Sequence, residues 1–319
     1  MQTRMLGRLW PISVLTLGGG GLGQLWGSTS REEAVATVRD AVDAGISLLD
    51  VAPRYGDGEA ERVIGEAFGG RLPAGVRVCT KHRVSNPPPD EVFGRLERSL
   101  DESLERMKLT SVDLFLLHGY LVDSPSAGAE RRTPLGLFGE AVRPALERLV
   151  DQGRIGAWGI TAIGVPSAVE RALADEPAPQ VIQAITNPLD SAGEMKWFEE
   201  PARPRDIIRA AGQRRIGVMG IRVVGAGALT DAIDRDLPAD SPLRDDFQRA
   251  EPLRALAHEL GESTASLAHR YAFSMPGVDT VVLGVKNRAE LHDCLQAEAL
   301  GPLAPELVER IDQAGLAVS

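Results

Sequence analysis

Four side chains in the N-terminal part of the chain are of types that together can move a proton: Asp50, Tyr55, Lys81 and His118. Asp50 stands near the end of the apolar run Ser47–Val51, Lys81 ends Arg77–Lys81, and His118 follows Val112–Leu117. Tyr55 comes five residues after Asp50, in a Tyr-Gly-Asp-Gly turn. Reduction of a carbonyl needs a hydride on carbon and a proton on oxygen. A phenol is a weak acid, with an ordinary pKa of about 10. A nearby ammonium favours its phenolate and lowers that value, so Lys81 can tune Tyr55 and Asp50 can hold Lys81. His118 can donate a hydrogen bond to the substrate oxygen. Taken singly, Asp50 can cap a loop, Tyr55 can belong to a turn, Lys81 can be a surface lysine and His118 a structural histidine. Their placement at the ends of successive apolar runs favours a joint role.

Those ends converge only if the runs are neighbouring parallel strands. Eight short runs read as strands covered on both faces: Ser13–Leu17, Ser47–Val51, Arg77–Lys81, Val112–Leu117, Ala157–Thr161, Val181–Thr186, Gly217–Arg222 and Thr280–Gly284. Amphipathic helical stretches separate them. Ser30 with Glu33 forms a capping-box pattern ahead of an apolar stripe from Ala34 to Val42. Further helices are expected over Gly58–Phe68, from Asp90 to Met107, over Glu140–Val150, Pro166–Ala174, Asp206–Gln213, Pro252–Leu260, Thr264–Phe273, Asn287–Gln296 and Pro305–Ala314. This alternation predicts an α/β fold, a (β/α)8 TIM barrel in one domain spanning residues 1–319. An open doubly wound sheet is the alternative, and the glycines of Gly18–Gly23 superficially suit it. No helical pattern starts there, so they read as a tight strand-to-helix connection at the barrel mouth. Long connections, Gly119–Phe138 and Val223–Glu251, leave strand C-terminal ends and are expected to wall a substrate site.

The composition narrows the class of partner. Hydrophobic residues make up 43%, charged residues 25%, and the net charge is −10. An acidic surface argues against nucleic acid or an anionic membrane. Two cysteines, Cys79 and Cys294, suit a reducing compartment, and no run has the length of a membrane span. A soluble cytoplasmic protein is expected. His258, His269 and His292 lack metal-ligand spacing, so no metal site is expected. Cys79, two residues before Lys81, reads as a barrel-interior residue. Trp10, Trp26, Trp197 and Phe198 can wall a pocket or simply pack.

The stretch from Asp43 to Ala67, which contains Asp50-Val-Ala-Pro-Arg-Tyr55-Gly-Asp-Gly, resembles the signature of the aldo-keto reductases. Thr80-Lys81 and Val112-Asp-Leu-Phe-Leu-Leu-His118 resemble that family's next motifs, in order. The resemblance implies Tyr55 as proton donor, Asp50 and Lys81 as its tuners, and His118 as the residue orienting the carbonyl. It also implies a nicotinamide cofactor. Thr161 stands in the segment that usually carries a Ser-Asn pair for the nicotinamide amide, with Ala162 in place of the amide residue. Gln183 matches the next carboxamide contact, and Arg222 ends the seventh strand within reach of a pyrophosphate or of a structural salt bridge. Gly225 and Gly227 let the backbone approach that phosphate. The segment Val282–Cys294, with Gly284, Lys286 and Arg288, resembles the adenosine-phosphate site at a helix N-terminus. Glu290 stands where Gln or Arg is common, and Asp293-Cys294 replaces a Glu-Asn pair that reads adenine. Lys286 and Arg288 favour NADP(H), with NAD(H) the alternative. The expected activity interconverts a carbonyl (aldehyde, ketone or sugar hemiacetal) and an alcohol or lactone on a small-molecule substrate. A Schiff-base aldolase using Lys81 and a non-catalytic nucleotide-binding partner subunit are the competing readings.

Overall fold

The computed structural model describes residues 1–124, 130–314 and 316. Two short antiparallel strands, β1 (Thr3–Met5) and β2 (Pro11–Ser13), open the chain. The barrel follows, built from β3 (Leu15–Gly18), β4 (Leu48–Asp50), β5 (Arg77–His82), β6 (Val112–Leu117), β9 (Ile155–Thr161), β10 (Val181–Ile185), β11 (Gly217–Ile221) and β12 (Thr280–Leu283). These pair in parallel in chain order, and β12 closes on β3. β7 (Tyr120–Val122) and β8 (Arg132–Pro134) form a separate small sheet in the connection after β6. The expected closed barrel is therefore the observed one. The eight strand expectations fall on its staves, with ends displaced by a residue or two.

Successive strand residues point to opposite faces, so each stave sends alternate side chains inward. Leu48, Cys79, Leu114, Leu116, Ala157, Val181 and Met219 form the interior layer. Leu6 and Ile12 from the β1–β2 hairpin plug it from below. Trp10 belongs to that plug: Arg77, at the start of β5, lies 4.8 Å from its ring. Of the two readings of Trp10, pocket wall or packing, the structure shows packing, because the hairpin closes the N-terminal end of the barrel. The outward residues, such as Leu49, Val78, Phe115, Trp158 and Val218, pack under the helices in the main core.

Local signals explain the helices. Ser30 caps α2 (Arg31–Asp43) by accepting from the Glu33 N–H. Only half of the expected capping box forms, since the Glu33 carboxylate turns to Arg288 instead. The glycine cluster makes one short helical turn, α1 (Gly19–Leu22), before the chain reaches α2. A Cβ at Gly23 would fall 2.5 Å from the backbone carbonyl of Tyr55, so that position must be bare for the Tyr55 loop to sit against it. The long connection after β11 holds a short turn, Gly225–Gly227, and the helix Pro242–Arg249. The middle of the other long connection, 125–129, lies outside the described residues.

Candidate active site

The inward alternation that puts Leu48, Cys79 and Leu116 in the barrel interior puts Asp50, Lys81 and His118 one step higher, and on β9 it runs from Ala157 through Gly159 to Thr161. Gln183 sits one step above Val181 in the same way. Lys81 is completely buried at the top of β5. Its ammonium lies 2.9 Å from Asp50 Oδ1 and donates to Tyr55 Oη at 3.2 Å and to the Val51 carbonyl at 3.0 Å. The Tyr55 and His118 rings meet edge to face, 5.7 Å between centroids. All four residues expected from the sequence thus come together at the C-terminal mouth of the barrel.

Burial would by itself push Lys81 down, but the Asp50 carboxylate and the Tyr55 hydroxyl outweigh it and hold the ammonium above the ordinary lysine value. Burial also pushes the Tyr55 phenol up, and the Asp50 charge adds to this; the opposing pull of Lys81 does not compensate. The expected net lowering of Tyr55 by Lys81 is corrected accordingly. The phenol is therefore protonated at neutral pH. His118 is driven well below the usual imidazole value by burial and by the positive charges of Lys81, Arg83 and Arg54. It stands as a neutral imidazole, able to donate from one nitrogen.

Reading strand ends missed a layer of support. The fully buried Glu61, on α3 (Glu59–Phe68), accepts from Thr80 Oγ1 and from Arg106 Nε, both at 2.6 Å. It ties the residue before Lys81 to α3 and to α4 (Val92–Met107). A charged residue amid the apolar positions Ala60, Val63 and Ile64 was the available sign.

Several expected cofactor residues are engaged with the protein itself. Gln183 Nε2 donates to Asp50 Oδ2 at 2.9 Å, which joins it to the proton-moving group. The Thr161 hydroxyl lies 3.1 Å from the Leu117 carbonyl and 3.0 Å from that of Gly119, the two residues that flank His118. It braces the turn that presents the imidazole. Arg288 forms an ion pair with Glu33 at 2.9 Å, and its backbone N–H donates to the same carboxylate at 3.0 Å. Lys286 pairs with Glu290 at 3.1 Å, and its N–H donates to Glu290 at 2.9 Å. Asp293 is exposed on the helix Arg288–Ala299, whose cap is Asn287. Gly284 follows β12, with the half-exposed Trp26 beside it.

Arg222 differs from these. Its Nε is buried and finds no hydrogen-bond partner among the described residues. Burial lowers its affinity for the proton. Just beyond it, Gly225 and Gly227 take φ of +55° and +103° on either side of Ala226, a left-handed turn of the backbone. A guanidinium with an unpartnered Nε beside such a turn at the barrel mouth fits an anionic group such as a pyrophosphate. Trp197 packs on Tyr120 at 5.1 Å and on Phe198 at 5.9 Å, two residues along the chain from His118 in the case of Tyr120. Among the described residues no cluster of metal-ligating side chains occurs and no helix is long and apolar enough to cross a membrane.

Comparison with known proteins agrees with this geometry. The chain is 25% identical to L-galactose dehydrogenase of Arabidopsis thaliana over 298 residues, covering 91% of this chain and 86% of that one. It is 26% identical to a probable voltage-gated potassium channel subunit beta of Oryza sativa, with 88% and 87% covered. The holo form of the aldo-keto reductase AKR11C1 from Bacillus halodurans superimposes with a TM-score of 0.75 at 22% identity, covering 100% of this chain and 98% of that one. Residues 14–315 match the Aldo/keto reductase family, and the chain belongs to that family of NAD(P)-dependent oxidoreductases.

Proposed function

We propose that this chain reduces an aldehyde or ketone, or oxidises the corresponding alcohol or sugar hemiacetal, with Tyr55 as the general acid and base. One observation carries the reading: the Lys81 ammonium touches the Tyr55 hydroxyl and the Asp50 carboxylate at once, at the open end of the barrel. A bound nicotinamide dinucleotide would supply or accept the hydride. Tyr55 gives its proton to the carbonyl oxygen as negative charge develops there. The phenolate left behind is stabilised by Lys81, and Asp50 keeps Lys81 in place. Neutral His118 donates a hydrogen bond to the same oxygen and fixes its orientation. Gln183 holds the second oxygen of Asp50, so the row Gln183–Asp50–Lys81–Tyr55 is continuous.

Arg222 and the Gly225–Gly227 turn would hold the pyrophosphate, and Lys286 and Arg288 would face the adenosine end. The NADP(H) preference expected from those two cations is small in this proposal. A 2′-phosphate would have to displace Glu33 and Glu290 from them. A sugar as substrate is supported by the name of the Arabidopsis relative. The Schiff-base alternative is disfavoured, because Lys81 is held as an ammonium and an amine nucleophile must first lose that proton. Replacing Tyr55 by Phe should lower kcat for carbonyl reduction by roughly 10²–10⁴-fold, while NADPH binding, followed by fluorescence, persists. Full activity of Tyr55→Phe would refute the mechanism. Undiminished cofactor binding by a wild-type protein that reduces no carbonyl would favour the partner-subunit reading instead.

A further inference from the structure

We infer that the substrate carries an anionic group, a carboxylate or a phosphate, recognised by Arg83 and Arg54 at the mouth of the barrel. This rests on the carbonyl-reducing function proposed above and narrows its substrate class.

Lys81 and His118 open onto a cleft of about 670 Å³, and Arg54, Arg83, Arg95 and Arg98 line its walls. Arg54 is the residue immediately before Tyr55, and Arg83 lies two residues beyond Lys81. The Arg83 Nε donates to the His118 carbonyl at 3.3 Å, which anchors one edge of the guanidinium beside the imidazole. Acidic residues also reach the cleft, namely Asp57, Glu102 and Glu130, so its charge must be weighed pair by pair. Arg95 is occupied by Glu91 at 2.8 Å, and Glu102 leans towards Arg106 at 3.9 Å. Lys81 is matched by Asp50. Arg54, Arg83 and Arg98 have no ion pair among the described residues, nor do Asp57 and Glu130, so three guanidinium groups free of ion pairs face two carboxylates; the stretch 125–129 contains no acidic side chain.

The half-buried Arg83 is the decisive member. Burial disfavours its charge first, the positive charges of Arg54 and Arg131 disfavour it further, and the Tyr120 and Tyr55 hydroxyls oppose them without compensating. Arg54 and Arg98 are exposed at the rim, and a half-buried guanidinium crowded by like charges is costly unless an anion joins it. In a protein with a net charge of −10, such a local excess is not the general character of the surface. A planar guanidinium with free N–H groups matches carboxylate or phosphate oxygens. Arg83 and His118 line the same cleft, and the His118 ring meets Tyr55 at 5.7 Å, so Arg83 can hold one end of a molecule whose carbonyl takes a hydrogen bond from His118.

Paired substrates test this. With NADPH or NADH, kcat/KM is measured for succinic semialdehyde against butanal, and for glyceraldehyde 3-phosphate against glyceraldehyde. The expected result is a preference of roughly ten- to hundredfold for at least one charged member, the scale of a charge-assisted hydrogen bond. The pair that shows it identifies carboxylate or phosphate. In Arg83→Gln and Arg54→Gln that preference should fall about tenfold through KM, and Arg83→Lys should keep part of it. Equal kcat/KM within both pairs, or an equal loss on charged and neutral members in the variants, would overturn the inference. Succinate, which has no reducible carbonyl, separates this result from failure of the reductase reading. Calorimetric binding of succinate or inorganic phosphate that weakens in Arg83→Gln supports the anion site even if no aldehyde is turned over. Turnover of all four aldehydes alike, with neither anion bound, leaves the reductase reading standing and removes this one.

Discussion

The two sides of the barrel mouth are built on different plans. On the β4–β6 side, Asp50, Tyr55, Lys81 and His118 face one another, and their partners are chiefly one another. On the β9–β12 side, the residues expected to hold a dinucleotide are mostly committed elsewhere. Thr161 binds backbone carbonyls, Gln183 binds Asp50, Arg288 binds Glu33 and Lys286 binds Glu290. Arg222, by contrast, has a buried Nε with no hydrogen-bond partner among the described residues. On the proposed mechanism the β4–β6 side is thus preorganised for proton transfer, whereas the β9–β12 side would exchange internal partners to hold a dinucleotide. Preorganisation serves charge stabilisation in a reaction; exchange of partners sets how strongly one ligand is preferred to another.

The largest effect that would break this contrast is on the preorganised side. Lys81→Met leaves Asp50 as a buried carboxylate without its ion-pair partner, with Gln183 still donating to Oδ2. Removing one partner of a buried ion pair typically costs about 3–5 kcal/mol. Urea unfolding should show a loss on that scale, and the double replacement Asp50→Asn/Lys81→Met should recover most of it. If the single variant is as stable as wild type, the ion pair does not help to hold the barrel mouth together. Next in size is Thr161→Val. The hydroxyl braces the carbonyls on either side of His118, so its loss should lower kcat by roughly tenfold, the scale of about 1.4 kcal/mol. Because the defect lies at the imidazole, the Kd for the dinucleotide should change little. A large rise in that Kd with unchanged kcat would return Thr161 to the nucleotide side.

These differences also mark what could be read from the sequence. Asp50, Lys81 and His118 were legible because each ends a nearly pure apolar run, and a parallel barrel sends all such ends to one face. Tyr55 was legible through the family's signature, and its loop is fixed by the bare Gly23 opposite it. The partners of Gln183 and Arg288 were not legible. Gln183 and Asp50 are 133 residues apart, and Glu33 and Arg288 are 255 apart. Such pairs depend on how the barrel closes, and periodicity along the chain carries no signal of them. Glu33 was even misleading: Ser30 and Glu33 have capping-box spacing, yet a guanidinium competes better for the carboxylate than one more backbone N–H. The sign of the shift at Tyr55 was hidden too. It depends on burial, which a list of neighbouring charges does not contain.

A smaller effect would sharpen the contrast on the nucleotide side. Glu33 accepts both the Arg288 guanidinium and the Arg288 backbone N–H, so a carboxylate already occupies donors that a 2′-phosphate would use. Glu33→Gln should release Arg288 and raise the ratio of NADPH to NADH affinity by roughly three- to tenfold, the range expected for one exposed charge pair and its hydrogen bonds. Fluorescence titration of both reduced cofactors reads this directly. An unchanged ratio would mean that Arg288 is not near the 2′ position.

The smallest expected effect concerns pH. His82, beside Lys81 on β5, is pushed down to about 4, first by burial and then by Arg95. His118 and His269 are also lowered, with burial as the leading cause in each. In the unfolded chain these imidazoles titrate near the ordinary value of about 6.5. As pH falls below that, the unfolded state takes up protons that the folded state refuses, so stability must fall. Above about 6.5 neither state binds them, and these residues contribute no slope. The Tm should therefore be flat from neutral pH upward as far as these groups are concerned, and should decline progressively from about 6.5 towards 4. His82→Asn should make that decline shallower without altering Tm at neutral pH by as much. A decline equally steep in the variant would place the acid sensitivity in His118 and His269, the first on the proton-moving side and the second beneath the nucleotide helix through its contact with Cys294.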